Sequence, residues 1–327
     1  MNTEKHPLIT IVVVTYNSSR FVNETLASIL AQTYTGPVEV LISDDHSTDD
    51  TPQLCRSWAE THRHRFSRAE FIQPPTHSGI CGNYNFALQH ARGEWIKYIA
   101  GDDILTPCCI ECFANHAADS DDRLLISGVI CIDEDGSIIG PRYMMRDYLD
   151  SVDPYEQAVN LAYHCGGGIV EGPAFFIHTQ TLRDLGGMDM RYPMLEDFPF
   201  AFRYALSGRH IGVVKEPLVK YRIHPQSVSQ SSSRFARQYD RANYDARMQI
   251  ALLQHNYLLW WHHRIMRTVS RSDNHSPLAK CRNLLLKLSD IYAMTVFAKT
   301  LLRHKISRHV SKSDTVYKSE TTDLHHP

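Results

Sequence analysis

The sequence predicts an α/β protein in which helices flank a mostly parallel sheet. Short β-branched runs alternate with segments of helical periodicity through residues 1–130. Such alternation is typical of parallel strands joined by helical crossovers. Polar residues also follow three of the apolar runs directly, as they do at the ligand-binding edge of an open parallel sheet.

Four strands and three helices are predicted in the first hundred residues. LITIVVV at 8–14 and VEVLIS at 38–43 are short, apolar and β-branched, which favours buried strands. EFIQ and EWIKYIA predict two further strands, at 70–73 and 94–100. Helical periodicity lies between these runs, at residues 19–32, 51–62 and 82–91.

The pattern becomes less regular after a predicted strand at 124–132. GGGIVEGPAFFIH places three glycines before an apolar strand, where a ligand can approach closely or a plain loop can form. In LEDFPFAFRYALSG, Glu196 and Asp197 begin an amphipathic helix that Gly208 ends. HIGVVKEPLVKYRIHPQSVS predicts two short strands.

Charge is divided unevenly along the chain. Residues 1–230 carry 18 Lys and Arg against 29 Asp and Glu, whereas residues 231–327 carry 16 against 7. Two basic amphipathic segments, 237–269 and 277–310, suit either a membrane-surface element or a helical cap on the core. Residues 311–327 are polar and are predicted to be disordered.

Composition is that of an ordinary globular protein, with 43% apolar and 21% charged residues. The N-terminal apolar run is too short for a membrane span and is ended abruptly by the polar TYNSSR, so a signal peptide is not expected, and no other window is long enough to span a bilayer. Of eight cysteines, three cluster in CCIEC without a second cluster to complete a zinc set, which favours buried reduced thiols. A cytoplasmic location is expected.

Three predicted strand ends carry polar side chains that should converge on one crevice. The first ends in Thr15, Tyr16 and Asn17, the second in SDDHS, and the fourth in Asp102 and Asp103. Two adjacent carboxylates repel each other, so they are tolerated in open water or beside a cation that neutralises both. SDDHSTDDT also suits a helix N-cap, and the acidic pair at 196–197 suits the positive end of a helix dipole.

Four segments in this order and spacing resemble family 2 glycosyltransferases of the GT-A fold, over roughly residues 8–228. They are ITIVVVTYNSSRFVNETLASILAQTY, VEVLISDDHSTDDT, SGICGNYNFALQHARGEWIKYIAGDD and LEDFPFAFRYALSG, with YRIHPQSVS following. The resemblance implies a Rossmann-like GT-A domain at 1–230, with a nucleotide-binding half at 1–105 and an acceptor-binding half at 106–230. A helical extension at 231–310 and the tail follow.

The resemblance also implies roles for single residues. Tyr16 would pack on the nucleotide base and Asp45 would recognise the uracil edge. The nucleotide side of the site is expected to comprise Thr15, Tyr16, Asn17, Asp45, Asn85 and Asp102. Asp103, Asp102 and more weakly His224 would hold Mn²⁺ or Mg²⁺, although Ala100 occupies the first acidic position of the family motif. Asp197 would be the catalytic base, with Glu196 and Gly172 on the acceptor side.

The residues that the resemblance assigns are suited to one reaction, in which a hydroxyl group displaces a diphosphate. A divalent cation stabilises charge on the departing diphosphate, and a positioned carboxylate takes the proton of the attacking hydroxyl. The function expected from the resemblance is inverting, metal-dependent transfer of a hexose from a UDP-sugar to a glycan or lipid-linked glycan acceptor, in lipopolysaccharide O-antigen or capsule synthesis. Peripheral attachment to the inner face of the cytoplasmic membrane through the basic helices is also expected.

Other function classes remain open or are disfavoured. A nucleotidyltransferase would carry a glycine-rich basic loop where this chain has TYNSSRF, and no G-x-G-x-x-G follows the first strand to indicate a dehydrogenase. A non-catalytic sugar-nucleotide or glycan-binding module of the same fold is the alternative. Nucleic-acid binding is disfavoured, because the C-terminal cations alternate with apolar residues at helical spacing.

Overall fold

A central β-sheet organises the N-terminal unit of the protein. The computed structural model describes residues 6–142, 146–150, 152–164, 170–228 and 233–270, together with residues 280 and 284. Chain contacts divide the protein into two compact units, Met1–Asn243 and Tyr244–Pro327. The predicted boundary at residue 230 stays a prediction.

The described residues contribute nine strands to one sheet. They are β1 (Ile9–Thr15), β2 (Val38–Asp44), β3 (Arg68–Ile72), β4 (Trp95–Ala100), β5 (Ile104–Leu105), β6 (Leu124–Ile132), β7 (Ile138–Arg142), β8 (Phe175–His178) and β9 (Gly212–Arg222). Their order is β3-β2-β1-β4-β8-β6-β9-β5, and β7 pairs with β6.

Strand direction divides the sheet into two parallel groups. Strands β1 to β4 are mutually parallel, and β6 is parallel to β9. Between the groups lies β8, which is antiparallel to both β4 and β6. In β1 and β2 the side chains of Ile11 and Val40 on one face and of Val12 and Leu41 on the other are fully buried. Both faces of these strands are covered, and for this reason their sequences are continuously apolar instead of alternating between apolar and polar residues.

Helices of the N-terminal unit supply the crossovers between strands. They are α1 (Val22–Leu30), α2 (Thr51–His62), α3 (Gly79–His90), α4 (Cys109–Asp119), α5 (Arg146–Leu149), α6 (Pro154–His164), α7 (Thr179–Asp184) and α8 (Phe198–Leu206). A 3₁₀ turn, Gly172–Ala174, precedes β8. The sequence predicts α1, α2, α3 and α8 but does not single out α6. The glycines at 166–168 lie outside the described residues.

Strand β9 corrects the prediction of two short strands. It is one strand of eleven residues that pairs with β6 along its length. The register shifts around Gly128, which faces Pro217. Proline has no backbone N–H to donate, so pairing is irregular at this point, while β6 continues past it and holds both parts in line.

Two helices are described toward the C-terminus, α9 (Ser233–Leu253) and α10 (Tyr257–Ser270). The predicted segment 237–269 is therefore interrupted. His255 adopts a φ of 53°, and Asn256 N donates to the Ala251 carbonyl oxygen at 2.8 Å, an arrangement that ends a helix. Apart from residues 280 and 284, the second predicted segment, 277–310, and the tail at 311–327 fall outside the described residues. No helix within the described ranges is both long and apolar enough to cross a bilayer.

Candidate active site at the carboxyl edge of the sheet

The carboxyl ends of β1, β2 and β4 lie side by side, because these strands are adjacent and parallel. Thr15 Oγ1 donates a hydrogen bond to Asp44 Oδ1 at 2.9 Å. On the other side of β1, Gly101 N donates to the Val14 carbonyl oxygen at 3.0 Å, and the aspartate pair follows directly. The predicted meeting of three polar strand ends is therefore confirmed.

The turn after β1 leaves Tyr16 accessible. Asn17 adopts a φ of 51°, a left-handed conformation that asparagine tolerates better than most residues. Its Oδ1 accepts a hydrogen bond from Thr48 N at 2.8 Å, and its own N–H donates to Ser47 Oγ at 2.8 Å. Asn17 thus joins the ends of β1 and β2, while the Tyr16 side chain remains 52% exposed.

Asp45 caps helix α3. Its carboxylate accepts hydrogen bonds from Ser78 N at 2.7 Å and Gly79 N at 2.8 Å. These are orphan N–H groups at the start of the helix, which a buried carboxylate satisfies well. The expected contact between Asp45 and a uracil edge stays a prediction, and the carboxylate already has these partners.

Asn85 is engaged by a loop rather than directed at the strand ends. Its Oδ1 accepts from Met188 N at 2.7 Å and its Nδ2 donates to the Met188 carbonyl oxygen at 2.9 Å. A Cβ atom at Gly187 would overlap Asn85 Oδ1. Asn85 therefore holds the loop after α7 against α3, and its expected nucleotide contact has no support among the described contacts.

Asp102 is held by two residues at the end of β9. The Nε2 atom of His224 lies 3.0 Å from Asp102 Oδ2, and Arg222 Nε donates to the Asp102 carbonyl oxygen at 2.8 Å. Since a carboxylate only accepts, Nε2 carries the hydrogen. His224 is 8% exposed, and its Nδ1 has no hydrogen-bond partner in the described part of the chain. In the structure His224 Nε2 is directed at the Asp102 carboxylate, and the expected contact of His224 with a cation stays a prediction.

Asp103 is almost fully buried beside its neighbour. Its Oδ1 accepts from Arg222 N at 2.9 Å, and its carbonyl oxygen accepts from Thr25 Oγ1 at 2.7 Å. Burial raises the pKa of the Asp103 carboxyl well above its usual range, and the charges of Asp102 and Glu171 raise it further. The groups described around Asp103 do not fully offset the free-energy cost of burying its negative charge.

Glu171 is a site residue that the sequence analysis missed. It is 7% exposed and directly precedes the 3₁₀ turn Gly172–Ala174. Its charge raises the pKa of both Asp103 and Asp197, so it acts on the acidic pair after β4 and on the acidic pair before α8. The sequence feature that could have identified Glu171 is its position as an acidic residue directly before the apolar run GPAFFI.

Gly172 permits the close approach of Glu196. A Cβ atom at Gly172 would overlap Glu196 Oε1. Burial raises the pKa of Glu196 to about 8, and the adjacent Asp197 carboxylate acts in the same direction. Gly172 and Glu196, both expected on the acceptor side, therefore lie next to each other, while their contact with an acceptor stays a prediction.

Asp197 lies at the N-terminus of α8. Its Oδ1 accepts the hydrogen bond of Phe198 N at 2.6 Å. Burial raises the pKa of the Asp197 carboxyl to about 6; this hydrogen bond opposes the shift, and the charge of Glu171 adds to it. A carboxyl group with a pKa in this range can bind and release a proton near neutral pH.

A buried lysine, Lys97, supports the turn that carries Glu171 and Gly172. Its Nζ donates to the carbonyl oxygens of Pro173 and Phe175, the second at 3.2 Å. Burial lowers the pKa of Lys97 to about 8, and its charge in turn lowers the pKa of Asp103. Lys97 thereby joins β4 to this turn; the sequence analysis had included it only as part of a strand.

Asp102 and Asp103 have the ligand chemistry of a divalent cation site. Mg²⁺ and Mn²⁺ prefer oxygen ligands, and Mg²⁺ is often held by one or two carboxylates with substrate phosphates completing the shell. The buried charge of Asp103 fits such an ion, which would relieve the repulsion that raises its pKa. In the described ranges no three His, Cys, Asp or Glu side chains group around a potential metal position.

Comparison with solved structures shows the fold. The structure is similar to that of TarS 1-349 from S. aureus in complex with UDP-GlcNAc, with a TM-score of 0.60 and 18% sequence identity, over 87% of this chain and 81% of that one. A structure of TarS 1-349 in complex with UDP gives a TM-score of 0.55 at 21% identity, over 82% and 73%. The similarity confirms the expected GT-A fold.

Comparison with protein families and with curated proteins also indicates a glycosyltransferase. Residues 10–179 match the family described as Glycosyl transferase family 2, and residues 95–302 match Glycosyl transferase family group 2. The chain is 27% identical over 232 residues to an uncharacterized glycosyltransferase of Rickettsia felis, covering 69% of this chain and 36% of that protein. It is 25% identical over 231 residues to the putative glycosyltransferase EpsH of Bacillus subtilis, covering 68% and 63%. The chain thus spans about a third of the length of the first of these relatives.

Proposed function

The chain belongs to glycosyl transferase family 2, and from this membership we propose that it transfers a hexose from a UDP-sugar to a hydroxyl group of a glycan or lipid-linked glycan, with inversion at the anomeric carbon. One observation carries the proposal. Glu171 couples electrostatically to Asp103 on the expected donor side and to Asp197 on the expected acceptor side. This shared influence of Glu171 supports the proposal that the carboxylates for both halves of the reaction act in one site.

Asp197 is the general base in this proposal. The acceptor oxygen forms a bond to the anomeric carbon, the bond from that carbon to the diphosphate oxygen breaks, and the hydroxyl proton passes to Asp197. With its pKa raised to about 6, Asp197 is mostly unprotonated at neutral pH yet more basic than an ordinary aspartate. A single displacement needs no covalent sugar intermediate and inverts the anomeric centre.

The donor lies at the ends of β1, β2 and β4 in this proposal. The half-exposed ring of Tyr16 offers a surface for the nucleotide base, and Asp102 borders the diphosphate. The S. aureus TarS structure in complex with UDP-GlcNAc has the same fold and supports a UDP-sugar as donor. Which hexose is carried depends on contacts near residues 170–196.

A divalent cation, Mn²⁺ or Mg²⁺, would be held by Asp102 and Asp103. When bound, it would stabilise the charge that develops on the departing diphosphate. His224 orients Asp102 through the 3.0 Å contact to Oδ2, and the backbone N–H of Arg222 binds one oxygen of Asp103.

The acceptor is proposed to be a bacterial cell-surface glycan, of the lipopolysaccharide O-antigen or capsule type. Similarity to proteins named EpsH and TarS supports this class. A lipid-linked acceptor would be reached at the inner face of the cytoplasmic membrane, where the basic C-terminal helices would contact anionic lipids. Glu196 and Gly172 border the acceptor side, next to the base.

The test separates donor binding from turnover. Calorimetry would measure UDP binding with and without Mn²⁺ to the unsubstituted chain, to Asp103→Ala and to Asp197→Asn. We expect metal-dependent binding that Asp103→Ala loses and Asp197→Asn keeps. Turnover of UDP-sugars should fall about 10²- to 10⁴-fold in Asp197→Asn, the usual contribution of a general base. Metal-independent UDP binding would contradict the cation site, and full turnover in Asp197→Asn would contradict the base.

A further inference from the structure

The ring of Phe21, directly before α1, gathers three side chains that carry N–H donors. The guanidinium carbon of Arg20 lies 4.8 Å from the ring centroid, and that of Arg222 lies 4.7 Å from it. The His224 ring centroid lies at 5.0 Å. His224 Nε2 and Arg222 Nε both contact Asp102. Arg20 is therefore separated by a single aromatic ring from the two residues that hold Asp102.

The backbone that carries Arg20 is attached to the expected donor side of the site. A Cβ atom at Gly101 would lie 3.0 Å from Ser18 Cβ, so Ser18 packs directly against the glycine that precedes the acidic pair. Ser19 N donates a hydrogen bond to Asp49 Oδ2 at 3.1 Å. The segment that leads into α1 is thus held between the end of β4 and the start of α2, and Arg20 follows it directly.

Of the three side chains around Phe21, Arg20 is the one that a ligand can reach. The Arg222 side chain is fully buried, and His224 is 8% exposed. The Arg20 side chain is 53% exposed. Its Nη1 atom forms an ion pair with Glu134 Oε2 at 2.7 Å, and the Glu134 side chain is itself 33% exposed.

The ion pair between Arg20 and Glu134 can be exchanged at little cost. Exposed ion pairs contribute little to stability, because water and salt screen them. A guanidinium also has several N–H donors in a planar arrangement that matches a phosphate group, and a diphosphate carries more negative charge than one carboxylate. The Glu134 carbonyl oxygen accepts from Arg222 Nη1 at 2.9 Å, so Glu134 stays close to Arg20 when the pair opens.

We infer that Arg20 binds the diphosphate of the nucleotide donor, and that Glu134 competes with the diphosphate for Arg20. In the free protein Glu134 holds the guanidinium, and in the complex phosphate oxygens replace the Glu134 carboxylate. This inference rests on the proposed UDP-sugar function. It assigns to Arg20 a positive charge on the diphosphate in addition to that of the divalent cation, and it makes Glu134 a residue that weakens donor binding.

The experiment compares UDP with uridine, which has the same base and ribose but no phosphate. Calorimetry in Mn²⁺ would measure both ligands with the unsubstituted chain, Arg20→Gln and Glu134→Gln. We expect Arg20→Gln to weaken UDP binding roughly 10-fold or more, as for the loss of a hydrogen bond to a charged group, and to leave uridine unchanged. Glu134→Gln should strengthen UDP binding roughly 2- to 5-fold, because the competing ion pair is lost.

Two controls remove the same charges elsewhere. Arg63→Gln changes an exposed cation at the end of α2, and Glu156→Gln changes an exposed carboxylate of α6. Both should bind UDP as the unsubstituted chain does, and shifts equal to those of the test variants would overturn the inference in favour of a net-charge effect.

Three further results would overturn the inference while leaving the donor assignment supported by UDP binding to the unsubstituted chain. They are unchanged UDP binding in Arg20→Gln, an equal loss of uridine binding in that variant, and weaker UDP binding in Glu134→Gln. If UDP does not bind the unsubstituted chain at all, both the donor assignment and the role of Arg20 are overturned.

Discussion

At Asp197, two effects raise the pKa of the carboxyl group together. Burial is the larger, and the negative charge of Glu171 adds to it, so that the pKa reaches about 6 despite the hydrogen bond from Phe198. A base must be unprotonated to accept a proton, and turnover should therefore fall as pH drops through this value. Glu171 therefore contributes, together with burial, to the strength of Asp197 as the proposed base.

Replacing Glu171 tests this coupling. Glu171→Gln removes a negative charge that disfavours ionised Asp197, so the pKa of Asp197 should decrease and the acid limb of the pH–rate profile should move to lower pH. The ratio of kcat at about pH 5.5 to kcat at about pH 8 should rise roughly two-fold or more. The measurement is kcat for UDP-sugar turnover across this range.

A matched control is Glu156→Gln, since Glu156 is an exposed carboxylate in the first turn of α6. It removes the same charge at the surface and should leave the acid limb in place. An identical shift in both variants would point to net charge rather than to Glu171, and an unmoved limb in Glu171→Gln would contradict the coupling.

Among elements, strand β9 holds the site together through its last residue. The Arg222 side chain is fully buried and donates to carbonyl oxygens of Asp102 at 2.8 Å, Glu134 at 2.9 Å and Asp133 at 3.2 Å. It also pairs with Glu24 of α1 at 2.7 Å. One guanidinium thus joins β9, α1, the β6–β7 turn and the loop after β4.

Removing this guanidinium should destabilise the protein and loosen the donor side. Arg222→Met leaves three carbonyl oxygens without this donor, and each buried unsatisfied acceptor costs about 1–3 kcal/mol. We expect a decrease in the free energy of unfolding of about 3 kcal/mol or more, measured by urea denaturation. UDP binding in Mn²⁺ should weaken in the folded variant, because the loop that carries Asp102 loses an anchor.

Arg209→Met serves as the comparison, because Arg209 donates an exposed hydrogen bond to the nearby Ser207 hydroxyl at 2.7 Å. Its unfolding free energy should change by less than about 0.5 kcal/mol, as for most surface substitutions. Equal stability of the two variants would refute the anchoring role of Arg222.

Element prediction succeeded where one local pattern dominates. Helix α2 was expected at 51–62 and is observed at Thr51–His62, and β6 was expected at 124–132 and is observed at Leu124–Ile132. Strand β9 was misjudged because Pro217 is a local break signal that the pairing with β6 overrides. Neighbouring strands, which the sequence does not reveal, supply the energy that keeps β9 continuous.

For the whole molecule, the division of charge is the feature with a functional consequence. Residues 231–327 carry an excess of cations, and on α10 the exposed Arg264 lies on the Trp260 ring at 5.1 Å. Not every cation is available, since Arg267 pairs with Asp245 at 2.5 Å. Aromatic and basic side chains together suit the interface of an anionic membrane.

Vesicle binding tests the proposed attachment. The full chain should sediment with anionic vesicles at low ionic strength and be released by about 0.5 M salt, because surface charges are then screened. Arg264→Ala should weaken binding about five-fold, since each such cation contributes about 1 kcal/mol. Arg63→Ala removes an exposed cation from the N-terminal unit and should bind as before. Binding that neither salt nor Arg264→Ala affects would refute the proposal.

The sequence by itself determined the α/β class, the order of the first strands and helices, and the acidic pairs at 102–103 and 196–197. These follow from local periodicity and from the rule that parallel strands end at a common edge. The resemblance of four short segments to one glycosyltransferase family added the expected roles of Tyr16, Asp102 and Asp197, since the order of such motifs survives in the chain itself.

Only the tertiary structure decided which polar groups are still available. It brought the charge of Glu171 close enough to raise the pKa of both Asp103 and Asp197, and it used Lys97 and Arg222 as buried anchors. Hydrogen-bond occupancy and burial depend on atoms far apart in the chain, as with Arg222 and Glu24. No local pattern encodes them, and for this reason the influence of Glu171 on both acidic pairs emerges only from the folded chain.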